Sequence, residues 1–331
     1  MSDRYRIFGS ELSPYSVKVR SYFRYKQIPH EWIVRNRDNM KEYQKHAKLP
    51  LIPLVLTPDG GAMQDSTPIL ERMETLCPEP SIHPSDPALA FLSALIEEYG
   101  DEWSNKPMFH YRWTYAADQA SAAGRIARDN APGASEAEIE GLTKMITTRM
   151  VPRLSFVGSS EETREQIERS FQRQVRLLEA HLERRPYLFG ARPAFADFGL
   201  APELYEAGTD PTPSALLDAE AARVKGWLER TLDPKNEGEF ESWDTLGPTL
   251  LPFLREEVGG VFLPWSDANA RALAEGASEF TLEIEGRPFT QGTQKYHAKS
   301  LAALRARYAA VSDRSELDPI LKQANCLEYL S

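Results

Sequence analysis

Four prolines fall between residues 78 and 87, in Pro78-Glu79-Pro80-Ser81-Ile82-His83-Pro84-Ser85-Asp86-Pro87. Each lacks a backbone N–H and fixes its own φ, so no helix runs continuously through this stretch. It predicts a linker, and the hydropathy pattern changes across it. Before the break the chain reads as short strands and single helices; after it, apolar residues recur at helical spacing. The expected organisation is a first domain over 1–77, a linker over 78–87, a helical domain over 88–232 and an extension over 233–331.

Within the first region, Arg4 to Phe8 alternates polar and apolar residues, as a half-buried strand does. Pro14 to Lys26 carries Val17, Val19, Tyr22 and Phe23, which predicts a helix with one buried face. Glu31 to Val34 and Leu51 to Leu56 read as further strands, and Asp59-Gly60-Gly61 as a hairpin turn. Ala62-Met63 is a short fourth strand, followed by a helix over Asp65 to Thr75. The order is βαβ, then ββα. Pro53 cannot donate to a sheet ladder and belongs at a strand end or edge. The Ile52–Pro53 bond is a candidate for the cis form, which turns the Ile52 backbone outward.

Ser13-Pro14 is a helix-start signal: serine caps well, and proline fits the first helical position. Ser13 then holds a hydroxyl beside free N–H groups and the positive end of a helix dipole. An anion such as a thiolate is stabilised there. A plain cap is the competing reading.

Three ordered segments now resemble the N-terminal, thioredoxin-like domain of the glutathione transferase superfamily. They are Ser13-Pro14-Tyr15-Ser16-Val17-Lys18-Val19-Arg20, Leu51-Ile52-Pro53-Leu54-Val55-Leu56 and Met63-Gln64-Asp65-Ser66-Thr67-Pro68-Ile69-Leu70. The resemblance implies a catalytic serine at Ser13. It also implies a cis-proline at Pro53, with the Ile52 backbone pairing the cysteinyl part of glutathione. Asp65 and Ser66 would meet the γ-glutamyl ammonium and carboxylate. An unperturbed thiol titrates near about 8.5. A hydroxyl at a helix N-terminus lowers that value by stabilising the thiolate, so Ser13 acts as a hydrogen-bond donor to sulfur.

Two departures stand out. The family often holds the glycyl carboxylate with Lys or Gln just before the cis-proline segment, whereas here Leu49-Pro50-Leu51 offers no polar side chain. Arg35, Arg37, Lys41 or Gln44 would have to reach over instead. Serine at both 13 and 16 also excludes disulfide exchange through this motif.

Past the linker, Ala88 to Asn105 and Glu162 to Arg184 predict amphipathic helices, matching the all-helical second domain of the same family. Asp197 lies three residues after Ala194, where the family's capping box has Ser or Thr, so half the box is missing and Asp197 reads as structural. The aromatic run Trp103 to Tyr115 matches the family's electrophile-lining helix. Tyr15, Tyr111 and Trp113 are the pocket candidates, against the alternative that these rings fill the core.

Net charge is −10, which argues against nucleic acid or an anionic membrane as the main partner. Two cysteines, Cys77 and Cys326, make no secreted disulfide framework. There is no apolar leader, no run of about 18 apolar residues and no zinc or iron ligand spacing. The expectation is a cytoplasmic, metal-free homodimer with glutathione as co-substrate and a small hydrophobic electrophile as its second ligand. Alternatives are a scaffold that kept the fold without catalysis, and a glutathione-dependent peroxidase or isomerase. In the extension, Phe280 to Ile284 predicts a strand and Lys295 to Val311 a helix. Lys295-Tyr296-His297 reads as a solvated helix start.

Overall fold

A computed structural model describes residues 4–331; residues 1–3, the start of the predicted first domain, lie outside the described residues. The first domain contains β1 (Tyr5–Gly9), α1 (Pro14–Tyr25), β2 (His30–Val34), α2 (Met40–His46), β3 (Leu54–Leu56), β4 (Ala62–Gln64) and α3 (Ser66–Leu76). The sheet order is β2-β1-β3-β4. β1 and β2 run parallel, as a helical crossover demands, and β3 pairs antiparallel with both β1 and β4. The third strand begins at Leu54, three residues later than its apolar run suggests. Pro53 has no N–H for the ladder, and its peptide bond with Ile52 is cis. The short helix α2 was not predicted; its seven residues bury only Tyr43.

Pro87 belongs to α4 (Pro87–Tyr99), not to the linker. It takes the first helical position behind Asp86, whose carboxylate accepts from the Ala88 and Leu89 N–H groups. The predicted helix over 88–105 breaks in two, because Gly100–Ser104 forms a π-helical turn before α5 (Asn105–Thr114). Then follow α6 (Ala116–Asn130), α7 (Glu136–Met150), α8 (Arg164–His181), α9 (Phe195–Gly208), α10 (Pro211–Glu220) and α11 (Ala222–Leu232). Asp197 is structural: it accepts from the N–H groups of Ala194 at 2.8 Å and Leu188 at 2.9 Å, and from the Trp227 indole at 2.8 Å. Burial pushes its carboxyl up to about 6 despite those bonds.

The extension is not an appendage. α12 (Trp243–Phe253) carries Pro248 and Pro252 inside it and passes through a second π-helical stretch, Leu254–Phe262, into α13 (Leu263–Ala274). The hairpin β5 (Glu279–Ile284) and β6 (Arg287–Gly292) leads to α14 (Lys295–Ala309), α15 (Leu317–Gln323) and α16 (Leu327–Leu330). Phe253, Trp265, Phe289, Leu301 and Leu321 share one core with Leu92, Tyr99, Trp103 and Phe171 of the earlier helices. Glu257 ties the two regions together. Its buried carboxylate accepts from Tyr99 Oη at 2.8 Å and Ser170 Oγ at 2.6 Å, and pairs with Arg173 at 2.5 Å. Among the described residues no helix is long and apolar enough to cross a membrane.

Candidate functional site

A cavity of about 710 Å³ opens between the first domain, the π turn after α4 and the start of α14. That size suits a small-molecule site. Ile52, Pro53, Asp65 and Ser66 all line it, so the structure gathers the two predicted backbone-recognition segments around one space. The antiparallel β3–β4 pair does this, since Leu54 faces Gln64 across the ladder and the flanking residues emerge on the same side. Ser66 opens α3, whose first N–H groups lack intrahelical partners. Asp65 sits at φ 76°, a left-handed conformation that a non-glycine residue adopts at a cost of about 1–3 kcal/mol. Burial raises its carboxyl above the ordinary value, with Glu102 and Glu97 adding to the effect and Lys18 and the Tyr296 hydroxyl opposing it.

The loop before Pro53 is held by one side chain. Gln64 Oε1 accepts from the N–H groups of Lys48 and Leu49, and its Nε2 donates to the carbonyls of Leu49 and Leu51. This leaves Leu49 and Leu51 on the cavity wall, 56 % and 58 % exposed. The basic side chains here are His46, Lys48, Arg72 and His297. None of the four residues expected to reach over lines the cavity: Arg37, for example, donates to the Pro132 carbonyl and Arg35 lies over the Tyr43 ring. Lys48 immediately precedes the Leu49-Pro50-Leu51 run and His46 stands three residues before it, so the basic signal lies just outside that run.

Ser13 caps α1, its Oγ accepting from the Ser16 N–H at 3.3 Å. That bond uses a lone pair and leaves the hydroxyl hydrogen free to donate. Ser13 is not among the residues lining the cavity, whereas Tyr15 is. The Tyr15 hydroxyl donates to the Asp101 carbonyl at 3.2 Å and accepts from Asn105 Nδ2 at 2.7 Å. Burial, with Glu203, Asp101 and Glu102 nearby, holds its pKa well above the ordinary phenol value, so it stays neutral. Tyr111 and Trp113 sit elsewhere. Tyr111 is 2 % exposed and packs against Phe171 and Tyr115; Trp113, 1 % exposed, joins Ala122, Ala127 and Ile139. Both rings fill cores between helices.

Behind the cavity lies an ion cluster that joins the first domain to the helices. Lys18 Nζ, 1 % exposed with its residue, bonds Glu97 at 2.5 Å, Asp101 at 2.7 Å and Thr67 at 2.9 Å. Burial and the crowding of Glu97 and Glu102 lift Asp101 to about 7, against the pull of Lys18. The π turn places Asp101 and Glu102 side by side on the cavity wall, and π-helical turns of this kind recur at functional sites. Opposite them, Tyr296 Oη lies 3.4 Å from Asp65 Oδ2, and His297 Nδ1 is bonded to the Glu102 carboxylate. Sequence reading missed these last two residues as site components. A helix start rich in polar residues looks the same whether it faces water or a cavity.

The chain matches two family profiles. Residues 7–81 match the glutathione S-transferase N-terminal domain, and residues 161–230 match the glutathione S-transferase C-terminal domain. No curated protein matches the chain. Similar solved structures include a glutathione S-transferase from Methylobacterium radiotolerans in complex with glutathione sulfonate. It is 19% identical, covers 72% of this chain and 97% of its own, and has a TM-score of 0.42. Beta-etherase LigF from Sphingobium sp. strain SYK-6 is 17% identical over 68% of this chain and 93% of its own, with a TM-score of 0.47. FzlA from C. crescentus is 17% identical over 70% and 90%, with a TM-score of 0.45. Two successive segments of one chain therefore match the N-terminal and C-terminal domains of glutathione S-transferases.

Proposed function

We propose that the cavity binds glutathione and that the protein activates its thiolate for attack on a small hydrophobic electrophile. One observation carries this reading: the Ile52–cis-Pro53 segment and the Asp65-Ser66 helix start face a single cavity. The residues fit the ligand group by group. A backbone freed from the ladder at Ile52 suits an amide. Asp65 suits an ammonium, and the α3 N-terminus with Ser66 suits a carboxylate. Lys48 and Arg72 supply charge for a second carboxylate, with the His46 ring beside them. Leu49, Leu51 and Ile69 offer apolar surface for the electrophile.

Ser13 would donate its free hydroxyl hydrogen to the sulfur, while its oxygen caps α1. Tyr15 is less suited to that role, because its hydroxyl is already committed to the Asp101 carbonyl. Tyr111 and Trp113, the other two pocket candidates, fill helix cores and are left out of this reading. Glutathione enters as co-substrate, with no metal. A homodimeric, cytoplasmic detoxification enzyme belongs to the same reading and rests on the family resemblance alone.

The test is Ser13→Ala. Turnover should fall, and the pKa of bound glutathione, read from thiolate absorbance, should rise. Rates that are unchanged across pH would remove Ser13 from the mechanism.

A further inference from the structure

His297 is held by groups from two other parts of the fold. Nδ1 is bonded to Glu102 on the π turn, and the ring stands edge-on to Trp265 of α13 with centroids 4.8 Å apart. Trp265 is itself fixed: it is fully buried, donates to Gln291 Oε1 at 3.0 Å and carries Lys106 Nζ over its face at 3.9 Å. Among the described residues nothing bonds His297 Nε2. A ring that donates from Nδ1 to a carboxylate keeps Nε2 as the nitrogen that gains and loses a proton. A ring nitrogen of this kind, oriented by a third group, has the arrangement of a general acid or base. His297 and Glu102 both line the cavity, whose lining also includes the apolar side chains of Leu49 and Leu51. Asp65, Glu98 and Asp101 act on the neighbouring Tyr296, and Lys106 lies beneath Trp265.

We infer that His297, oriented by Glu102, protonates the departing oxygen of the electrophile, so that the cavity favours epoxides over substrates that expel a stable halide. The inference rests on the reading that glutathione binds in this cavity. The thiolate sulfur forms the C–S bond, and the C–O bond breaks with its electron pair passing to oxygen. That oxygen takes the proton from Nε2. The ring then regains a proton from solvent, which received one when the glutathione thiol ionised. Chloride leaves as a stable anion and draws nothing from the ring.

The experiment uses the full chain, glutathione and two electrophiles, styrene oxide and 1-chloro-2,4-dinitrobenzene. The quantity read is the ratio of their kcat/KM values in the wild type, in His297→Gln and in Glu102→Gln. General acid catalysis predicts a fall in the epoxide-to-chloride ratio of about tenfold or more in His297→Gln. A fall of about threefold or more in either variant still supports the inference, and a smaller change in both overturns it. Should His297→Gln fail to fold, Glu102→Gln alone decides on the same threshold. If glutathione binds the wild type but the epoxide does not react, this inference falls alone. If glutathione does not bind, the proposed function falls with it.

Discussion

The two walls of the cavity come from opposite ends of the chain and are held in different ways. The N-terminal wall is local. Pro53 and Asp65 flank one short antiparallel strand pair, and Gln64 secures the loop before Pro53 with four hydrogen bonds. The facing wall includes Tyr296, which stands 231 residues from Asp65. It is placed only because α12, α13 and the β5–β6 hairpin share the core of the earlier helices. A local wall survives as a motif that a reader can find. A wall built by distant packing leaves no motif, because its position depends on many buried contacts that each look ordinary.

The joint between the first domain and the helices is the most sensitive place to break this arrangement. Lys18→Met should destabilise the fold by about 3–5 kcal/mol, since it leaves Glu97 and Asp101 without their buried cation. Urea unfolding measures this, and a loss below about 1 kcal/mol would show that the cluster does not hold the two parts together.

Gly259→Ala probes the distant wall alone. A Cβ there would meet the Ala324 carbonyl oxygen at 2.0 Å, so the α15–α16 segment must move, at a cost of about 1–3 kcal/mol. Hydrogen exchange should rise over residues 317–330 and stay unchanged in the β3–β4 pair.

Lys106 sharpens the comparison through pH. Burial lowers its pKa to about 7 in the folded chain, against the ordinary 10.5. Between these values the unfolded chain binds more protons, so this group makes stability rise with pH. Lys106→Met should therefore flatten the rise in unfolding free energy between pH 7 and 10, by up to about 3–4 kcal/mol relative to wild type. An identical slope in both proteins would place the charged ammonium in a better-solvated position than its contacts with Trp265 and Gln291 indicate. The smallest effect belongs to Tyr296→Phe. Its hydroxyl reaches Asp65 only at 3.4 Å, so glutathione affinity should change by less than about threefold. A larger loss, read by calorimetry, would mean that the distant wall takes a direct part in holding glutathione.

Much of the first domain was legible because its signals are short-range. Alternation marked β1, Ser13-Pro14 marked the start of α1, and Pro53 marked the place where the ladder cannot continue. The break at Gly100 was not legible. A π turn adds one residue per turn without changing composition, and Gly100 is glycine because a Cβ would lie 2.7 Å from the Gly199 backbone, a contact across the fold. The same limit explains the aromatic run. Tyr111 and Trp113 have the composition of a ligand pocket, but their helix face turns toward α8 and α6. Only the packing of α5 distinguishes a wall from a core. Tyr296 and His297 illustrate the converse case.

The most direct measurement is glutathione binding by calorimetry at pH 7 on the wild type and on Asp65→Ala. Binding in the micromolar to low-millimolar range that Asp65→Ala abolishes is the predicted result. No binding by the wild type up to several millimolar would contradict the account, and so would binding that Asp65→Ala leaves intact.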